Sequence, residues 1–136
     1  MSFAKSLGKL AAGVYAALRV VCGLLMATHG AQKFGLVGKL PRPIEAFSQA
    51  WIGGWIELVG GLLVAIGLFT VPAAFLVSGT MAVAYIQFHW KLQLGAGLLP
   101  LNNGGELALV YSLVFLFIAC HGPGAASLDQ WRARRR

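Results

Sequence analysis

WIGGWIELVGGLLVAIGLFT, residues 51–70, is followed directly by VPAAFLVSGTMAVAYIQFHW, residues 71–90, and the two form a continuous apolar run of 40 residues with one acidic residue, Glu57. Each half has about the ~20 residues that an α-helix needs to cross ~30 Å of hydrocarbon. Almost no loop separates the halves, so they are predicted to form a tight antiparallel helix pair. Glu57 lies within a stripe of glycines, which let a neighbouring helix approach closely. Glu57 is therefore predicted to face another helix rather than lipid.

The rest of the chain continues this apolar pattern. Of the 136 residues, 58% are hydrophobic and 11% are charged, whereas a soluble domain has about 25% charged residues. With two further apolar blocks, the predicted spans are approximately 10–31, 51–70, 71–90 and 104–121. The alternating segments of ~10 residues that build a membrane β-barrel are not found in the sequence. The sequence therefore predicts an all-α fold, an integral membrane bundle of four transmembrane helices that forms one domain over residues 1–136.

Positive charge is concentrated near both ends of the chain. The net charge of +7 is compatible with nucleic-acid binding, but its distribution indicates a membrane topology instead. Six basic residues lie before the first span or after the last one: Lys5, Lys9, Arg132, Arg134, Arg135 and Arg136. The opposite side has four: Lys33, Lys39, Arg42 and Lys91. Because basic residues favour the cytoplasmic side, both termini are predicted to be cytoplasmic, in a multi-pass protein of the cell inner (plasma) membrane without a nucleic-acid partner.

A short basic helix is predicted at the C-terminus, over residues 127–136. Ser127 and Gln130 have the spacing of a capping box, and Trp131 is followed by arginines. Two interpretations stay open. The segment is either an amphipathic helix held on the inner membrane surface by anionic lipid, or a frayed basic tail that only fixes the topology.

Polar residues within the predicted spans share one depth. A charge inside a bilayer costs roughly 2.5 to more than 10 kcal/mol. Charged residues within a span are therefore paired with a partner, solvated, or part of a functional site. With the termini inside, all four helices present polar groups to the outer half of the membrane, which predicts an outward-facing polar pocket. The candidate ligand-binding residues are Arg19, His29, Lys33, Glu57, His89, Asn103 and Glu106. Tyr85 lies four residues before His89 and so on the same helix face.

Most of these residues also have a structural interpretation. Arg19 facing Glu57 would be a buried ion pair that fixes the helix register. Asn103 and Glu106 have the spacing of a capping box, and Lys33 can extend its amine to the interface. The shared depth of the residues is what favours a common pocket.

The sequence identifies no catalytic residue and assigns no metal site. Two histidines on facing helices match an axial haem pair, and His29, His89 and Glu106 would suit a metal ion. No further signature supports either group, so haem is not favoured. There is no Cys-x-x-Cys pair to form a thiol redox centre.

Several short motifs follow one another in a recognisable order. They are Arg19 within the first span, His29-Gly30-x-x-Lys33-Phe34, Glu57-x-x-Gly60-Gly61-Leu62, Gly67-Leu68-Phe69-Thr70, Asn103-Gly104-Gly105-Glu106, Gly122-Pro123-Gly124 and Ser127-Leu128-Asp129. Over roughly residues 10–130 the chain resembles the DoxX family of small four-helix membrane proteins. By this resemblance, the family's polar positions are Arg19, Lys33, Glu57, Asn103, Glu106 and Asp129, with no established catalytic roles. Relatives are linked to thiosulfate:quinone oxidoreductase and to membrane complexes that handle thiols and oxidative stress.

The leading hypothesis is a redox-associated subunit that binds a quinone or a similar small ligand. The head group would lie among Lys33, Glu57, His89 and Glu106, with Arg19 orienting Glu57. Quinone oxygens accept hydrogen bonds from His or Lys, and a carboxylate can exchange protons on reduction. Because no cofactor motif supplies electrons, the chain is at most a subunit of a membrane oxidoreductase complex and needs a partner subunit.

Two alternatives stay open. One is a non-catalytic membrane scaffold that docks a peripheral partner through its basic C-terminus. The other is a small transporter or channel subunit that works as a homo-oligomer, although broken helices and internal repeats are hardly visible in the sequence.

Overall fold

The computed structural model describes residues 3–38 and 44–136, and over these residues the chain is helical, with no strand. The main elements are α1 (Ala11–Lys33), α2 (Gln49–Ile66), α3 (Thr70–Trp90), α4 (Glu106–His121) and α5 (Leu128–Ala133). Shorter helical segments cover Phe3–Gly8, Gly95–Leu98 and Pro100–Asn103. The predicted all-helical fold is confirmed.

Three helices are long and apolar enough to cross a membrane. α1, α2 and α3 have 23, 18 and 21 residues. α4 is also apolar but has 16 residues, so it is shorter than the predicted fourth span. It begins at Glu106 rather than at residue 104 because Gly104, with a φ of 70°, ends the preceding helical turn in the left-handed region.

The turn between α2 and α3 occupies three residues. α2 ends at Ile66 and is followed by Gly67, whose left-handed φ of 71° is favourable mainly for glycine. Phe69 is also left-handed, with a φ of 48°, and α3 begins at Thr70. The predicted tight pair is therefore present, with helix ends at Ile66 and Thr70 instead of a boundary between residues 70 and 71.

Glycines hold α1 and α2 in close contact. A Cβ atom on Gly61 would lie 2.6 Å from the backbone nitrogen of Ala27 and 2.6 Å from the carbonyl oxygen of Gly23. A Cβ atom on Gly23 would lie 2.7 Å from the carbonyl oxygen of Gly61. These distances leave no room for any side chain. The predicted close approach of a neighbouring helix to the glycines of α2 is therefore confirmed, and at Gly61 that helix is α1.

The buried core lies between the helices, and the outer surface is apolar. Met26, Val64, Val77, Phe115 and Ile118 are fully buried, one or more from each of α1 to α4. In the most apolar windows of α1, α2 and α3, only 28%, 39% and 28% of residues are buried. Soluble monomers rarely expose contiguous apolar surface on this scale. The outer faces of the helices are therefore lipid-facing, as in a multi-pass membrane protein.

The two ends of the bundle differ in character. The Tyr15 hydroxyl, near the start of α1, donates to the carbonyl of Gly122, just after α4, at 2.5 Å. The start of α1 and the end of α4 therefore share one end of the bundle, the terminal end, where the turn at Gly67 also lies. Lys33 and Trp90 lie at the opposite, loop end. Lys39 and Arg42, which entered the predicted charge balance, are outside the described residues.

Candidate functional site

A cavity of about 740 Å³ lies between α2 and α3 towards the loop end, with α1 and α4 contributing to its walls. Part of its lining is apolar and exposed to the surroundings of the bundle, including Ile52, Phe75, Leu76, Val83, Phe88 and Leu107. The cavity, called the pocket below, is therefore open sideways through the lipid-facing surface. A ligand with a hydrocarbon tail can enter it from the bilayer.

The polar part of the pocket is built around Glu57. Its Oε1 atom forms an ion pair with the Lys33 Nζ atom, the two side chains being 2% and 30% exposed. Its Oε2 atom is buried and has no hydrogen-bond partner among residues 3–38 and 44–136. A buried acceptor without a partner costs about 1–3 kcal/mol, and more when it is charged. Glu57 lines the pocket, and its second carboxylate oxygen is an acceptor without a donor among these residues.

Two polar residues of the pocket come from π-helical turns. Glu57 lies in the π-helical segment Ile56–Gly60 of α2, and His89 lies in Tyr85–Trp90 at the end of α3. A π-helical turn is rare and is frequently found at functional sites, because the wider turn redirects the side chains that follow it. Each π-helical segment contributes one residue to the pocket lining, Glu57 from α2 and His89 from α3. This arrangement favours a role of the two π-helical segments in the function of the pocket.

The structure brings four of the seven predicted site residues together. His29, Lys33, Glu57 and His89 all line the pocket. Tyr85 and His89 share a face, as predicted, because both pack on Gly105, where a Cβ atom would lie 2.6 Å from Tyr85 Cδ2. Arg19, Asn103 and Glu106 are not part of the lining.

The pairing of Arg19 with Glu57, which the sequence left open, is not present, because Glu57 pairs with Lys33. The fully buried Arg19 guanidinium donates to the carbonyls of Val64 and Ala65 at 2.6 and 2.8 Å and to that of Ala126 at 2.7 Å. It lies 14 residues before Lys33 on α1, or ~21 Å along the helix at ~1.5 Å per residue. Arg19 therefore links α1 to the end of α2 and to the segment before α5 at the terminal end of the bundle, because backbone carbonyls provide acceptors there.

The expected capping box between Asn103 and Glu106 is also wrong. Asn103 closes the preceding helical turn, where its Oδ1 atom accepts from the Gly105 backbone N–H at 2.8 Å. Its Nδ2 atom donates to the carbonyl of Gly97 at 3.1 Å. The N-cap of α4 is Gly105, without a side-chain cap, and Glu106 is exposed. Asn103 thus orders the connection between α3 and α4.

Other polar residues of the pocket were not predicted. They are Gln32, Gln49, Thr80 and Tyr111. The ring centroids of Tyr111 and His29 are 6.1 Å apart in an edge-on arrangement. The Gln49 side chain of α2 donates to the Gln87 side chain of α3 at 2.6 Å. Gln32 is adjacent to Lys33 in the sequence, and this adjacency was the available signal for it.

The C-terminal helix α5 is fixed to the terminal end by Asp129. This carboxylate accepts from the backbone N–H of Phe69 at 3.0 Å, and from the backbone N–H and hydroxyl of Thr70 at 2.9 and 2.8 Å. Burial raises the pKa of Asp129, but the hydrogen bonds from Thr70 and Phe69 outweigh it and hold the pKa below its ordinary value. Ser127 Oγ accepts from the Gln130 N–H at 3.2 Å, so the predicted cap at Ser127 is confirmed.

Within the described ranges, no three His, Cys, Asp or Glu side chains are grouped closely enough to hold a metal ion. His29, His89 and Glu106 do not converge on one point, since only the two histidines line the pocket. Cys22 and Cys120 are free thiols. The pocket offers hydrogen-bonding groups, namely the carboxylate of Glu57, the amine of Lys33 and the imidazoles of His29 and His89.

Helical composition, lipid-facing surfaces and a side-open pocket define a multi-pass membrane protein with a partly buried ion pair at a ligand-sized cavity. The chain belongs to the DoxX family, whose profile matches residues 14–90 and so covers Lys33, Glu57 and His89. It is 41% identical over 122 residues to an uncharacterized protein of Haemophilus influenzae. The matched region covers 82% of this chain and 85% of that protein. No solved structure matches the chain. The resemblance to the DoxX family is confirmed.

Proposed function

We propose that the pocket binds a quinone or a similar small redox lipid, and that the chain is the ligand-binding subunit of a membrane oxidoreductase complex. The observation that carries this proposal is the Oε2 atom of Glu57. It is a buried carboxylate oxygen without a partner among the described residues, at the polar part of a cavity open to lipid. A redox lipid whose polar head carries a hydrogen-bond donor, as the quinol form of a quinone does, and whose tail is apolar satisfies both parts of the pocket.

The size and chemistry of the pocket support this ligand class. A volume of about 740 Å³ is within the ~300–1,000 Å³ of sites that hold small organic molecules. Lys33, His29 and His89 carry nitrogen donors for the oxygens of a quinone head group. The exposed apolar wall at Phe75 and Leu76 would contact the tail.

The proposal includes a partner and an orientation. Side chains of the pocket can bind a quinone and exchange protons with it, but they carry no electrons, so a partner subunit must hold the electron carrier. In this proposal α4 is the fourth span, its 16 residues covering ~24 Å at ~1.5 Å per residue with local thinning of the bilayer. Both termini face the cytoplasm, and the pocket lies in the outer half of the inner (plasma) membrane.

The first experiment is extraction of bound quinone from purified protein. Wild type, Glu57→Gln and Glu106→Gln are purified in mild detergent, and reduced-minus-oxidised near-ultraviolet spectra of the extracts are compared. Glu106 is a matched control because it is exposed and outside the pocket lining. We expect quinone, bound in its quinol form, with wild type and Glu106→Gln, and about tenfold less with Glu57→Gln, which loses the charge-assisted hydrogen bond from a quinol hydroxyl to the Glu57 carboxylate. Wild-type protein that is folded and binds no added quinone would contradict the proposal.

One observation favours the scaffold alternative. α5 is anchored at its start by Asp129 and presents an exposed Trp131, with the Arg135 guanidinium 3.8 Å above its ring. A rigid basic and aromatic helix at the terminal end is a suitable surface for a peripheral acidic partner. Under this alternative, truncation after Asp129 releases the partner and leaves the bundle folded, and the Glu57→Gln substitution has no effect on the complex.

A further inference from the structure

We infer that the pocket distinguishes the two redox forms of its ligand and binds the reduced, hydroxyl-bearing form more tightly. The inference rests on the proposed function and names the state of the ligand that the site is built to hold. It starts from one asymmetry in the hydrogen bonding of Glu57. One carboxylate oxygen is paired with Lys33, while the other has no donor within the described part of the chain.

An ionised carboxylate accepts hydrogen bonds and donates none. In its ion pair with Lys33, Glu57 has no proton to offer, so its Oε2 atom can be satisfied only by a ligand that donates. A quinone presents carbonyl oxygens, which are acceptors. A quinol presents hydroxyl groups, each of which donates one hydrogen bond and can also accept.

The donors of the pocket do not oppose this preference. Lys33 and the two histidines can donate to a carbonyl oxygen, but they can donate to a hydroxyl oxygen equally well. Their contribution is therefore similar for the two forms of the ligand. The difference falls on Glu57, which meets a hydrogen in the quinol and a lone pair in the quinone.

Burial makes the difference large. The Glu57 side chain is 2% exposed, so water cannot easily replace a missing donor once a ligand fills the pocket. A hydrogen bond to a charged group corresponds to about a tenfold to hundredfold change in Kd. We therefore expect the quinol to bind about 10–100 times more tightly than the quinone.

The thermodynamic consequence concerns the bound couple. A site that binds the reduced form more tightly makes the bound quinone easier to reduce than the free quinone, because binding and reduction are linked. In a complex with an electron-donating partner, the pocket would favour electron transfer into the quinone. Release of the quinol would then be the slower exchange with the membrane.

The test compares ligands of the same shape on the full chain in nanodiscs, without oxygen. The probes are a short-chain benzoquinone, its quinol and the dimethyl ether of that quinol, which is redox-inert and has no hydroxyl hydrogen. Kd is measured by equilibrium dialysis for wild type, Glu57→Gln and Glu106→Gln. We expect the quinol to bind about 10–100 times more tightly than either other probe in wild type and in Glu106→Gln. In Glu57→Gln the amide can donate, so the preference should disappear or reverse.

The outcomes separate the two proposals. Equal binding of quinone and quinol to wild type would overturn the redox-state preference and leave the proposed function intact. Binding of neither form would overturn the proposed function itself. Because the dimethyl ether alters the ligand and not the protein, the comparison decides the question even where Glu57→Gln fails to fold. Displacement of the quinol by phosphatidylglycerol, lost in Glu57→Gln, would identify a hydroxylated lipid head group and overturn the assignment to quinol.

Discussion

Lys33 and Glu57 form an ion pair that joins the last turn of α1 to the π-helical turn of α2, and the Glu57 side chain is only 2% exposed. The pair sits at the pocket and at the same time holds two helices together. Removing one partner leaves a buried charge without compensation, which costs more than removing both. This gives a stability measurement that is independent of any ligand.

Lys33→Met should lower the free energy of unfolding by about 1–3 kcal/mol, the cost of leaving a buried acceptor without its donor. Thermal unfolding in detergent, followed by circular dichroism, measures the effect. The double variant Lys33→Met/Glu57→Leu should recover most of the loss because no buried charge is left. Lys9→Met is the control, since Lys9 is exposed. A double variant less stable than Lys33→Met would show that the pair does not act as a unit.

Gly61→Ala should destabilise the bundle by about 1–3 kcal/mol, as expected for overpacking. Its Cβ atom would lie 2.6 Å from backbone atoms of Ala27 and Gly23, which cannot move aside as a side chain does. The matched control is Gly13→Ala in α1, where a Cβ atom meets nothing within 4 Å. The control should be neutral or stabilising by up to about 1 kcal/mol because alanine favours a helix. Equal effects at both positions would refute the close packing of α1 on α2.

Asp129 should make the attachment of α5 sensitive to acid. Burial raises its pKa, but the hydrogen bonds from Thr70 and Phe69 outweigh this effect and hold the pKa below its ordinary value. A depressed pKa in the folded state stabilises above the unfolded pKa, and this stability is lost as the pH falls through the folded pKa. Wild type should therefore lose stability below about pH 4.

The measurement is the unfolding temperature between pH 7 and pH 3. Asp129→Asn should be less stable than wild type at pH 7 and should show a flatter profile in acid. Glu45→Gln, at an exposed position, should keep the wild-type profile. If the unfolding temperature of Asp129→Asn fell with pH as steeply as that of wild type, Asp129 would not be the source of the acid sensitivity.

The proposed topology predicts which positions react with a membrane-impermeant maleimide. In a background with Cys22 and Cys120 replaced by serine, cysteines are introduced at Ser6, Leu94 and Arg136. Ser6 and Arg136 flank the terminal end, while Leu94 is 85% exposed in the connection between α3 and α4. Ser6→Cys and Arg136→Cys should react only in inside-out vesicles, and Leu94→Cys only in right-side-out vesicles. The reverse pattern would place both termini outside, and a split between the termini would show that α4 does not span.

Composition and small-residue spacing were sufficient to predict the helical membrane fold. The apolar blocks predict the spans because their length and lack of charge leave few other structures available. The glycines around Glu57 predict a close helix contact, and the burial of Glu57 follows from it. Lys33, His29 and His89 could be assigned to the same end of the bundle because the direction of each helix follows from the order of the spans.

The rotation of the helices and the irregular backbone could not be predicted. Whether Arg19 faces Glu57 could not be decided from the sequence. Arg19 instead binds carbonyls exposed where α2 ends, and backbone acceptors have no signature in a sequence. The π-helical turn at Glu57 likewise depends on tertiary packing. Asn103 has the spacing of a cap but lies within the preceding turn, since Gly104 shifts the start of α4.

Because the pocket opens sideways to lipid, the apparent affinity for a ligand depends on how strongly the ligand partitions into the bilayer. A ligand that enters between α2 and α3 is delivered by the lipid phase, so its effective concentration is its mole fraction in the bilayer. A strongly partitioning compound saturates the pocket at a low aqueous concentration even when its intrinsic contacts are weak. Adding lipid at constant ligand dilutes it and lowers the occupancy. The membrane thus serves as the reservoir for the ligand and, at the open side, as the remaining wall of the pocket.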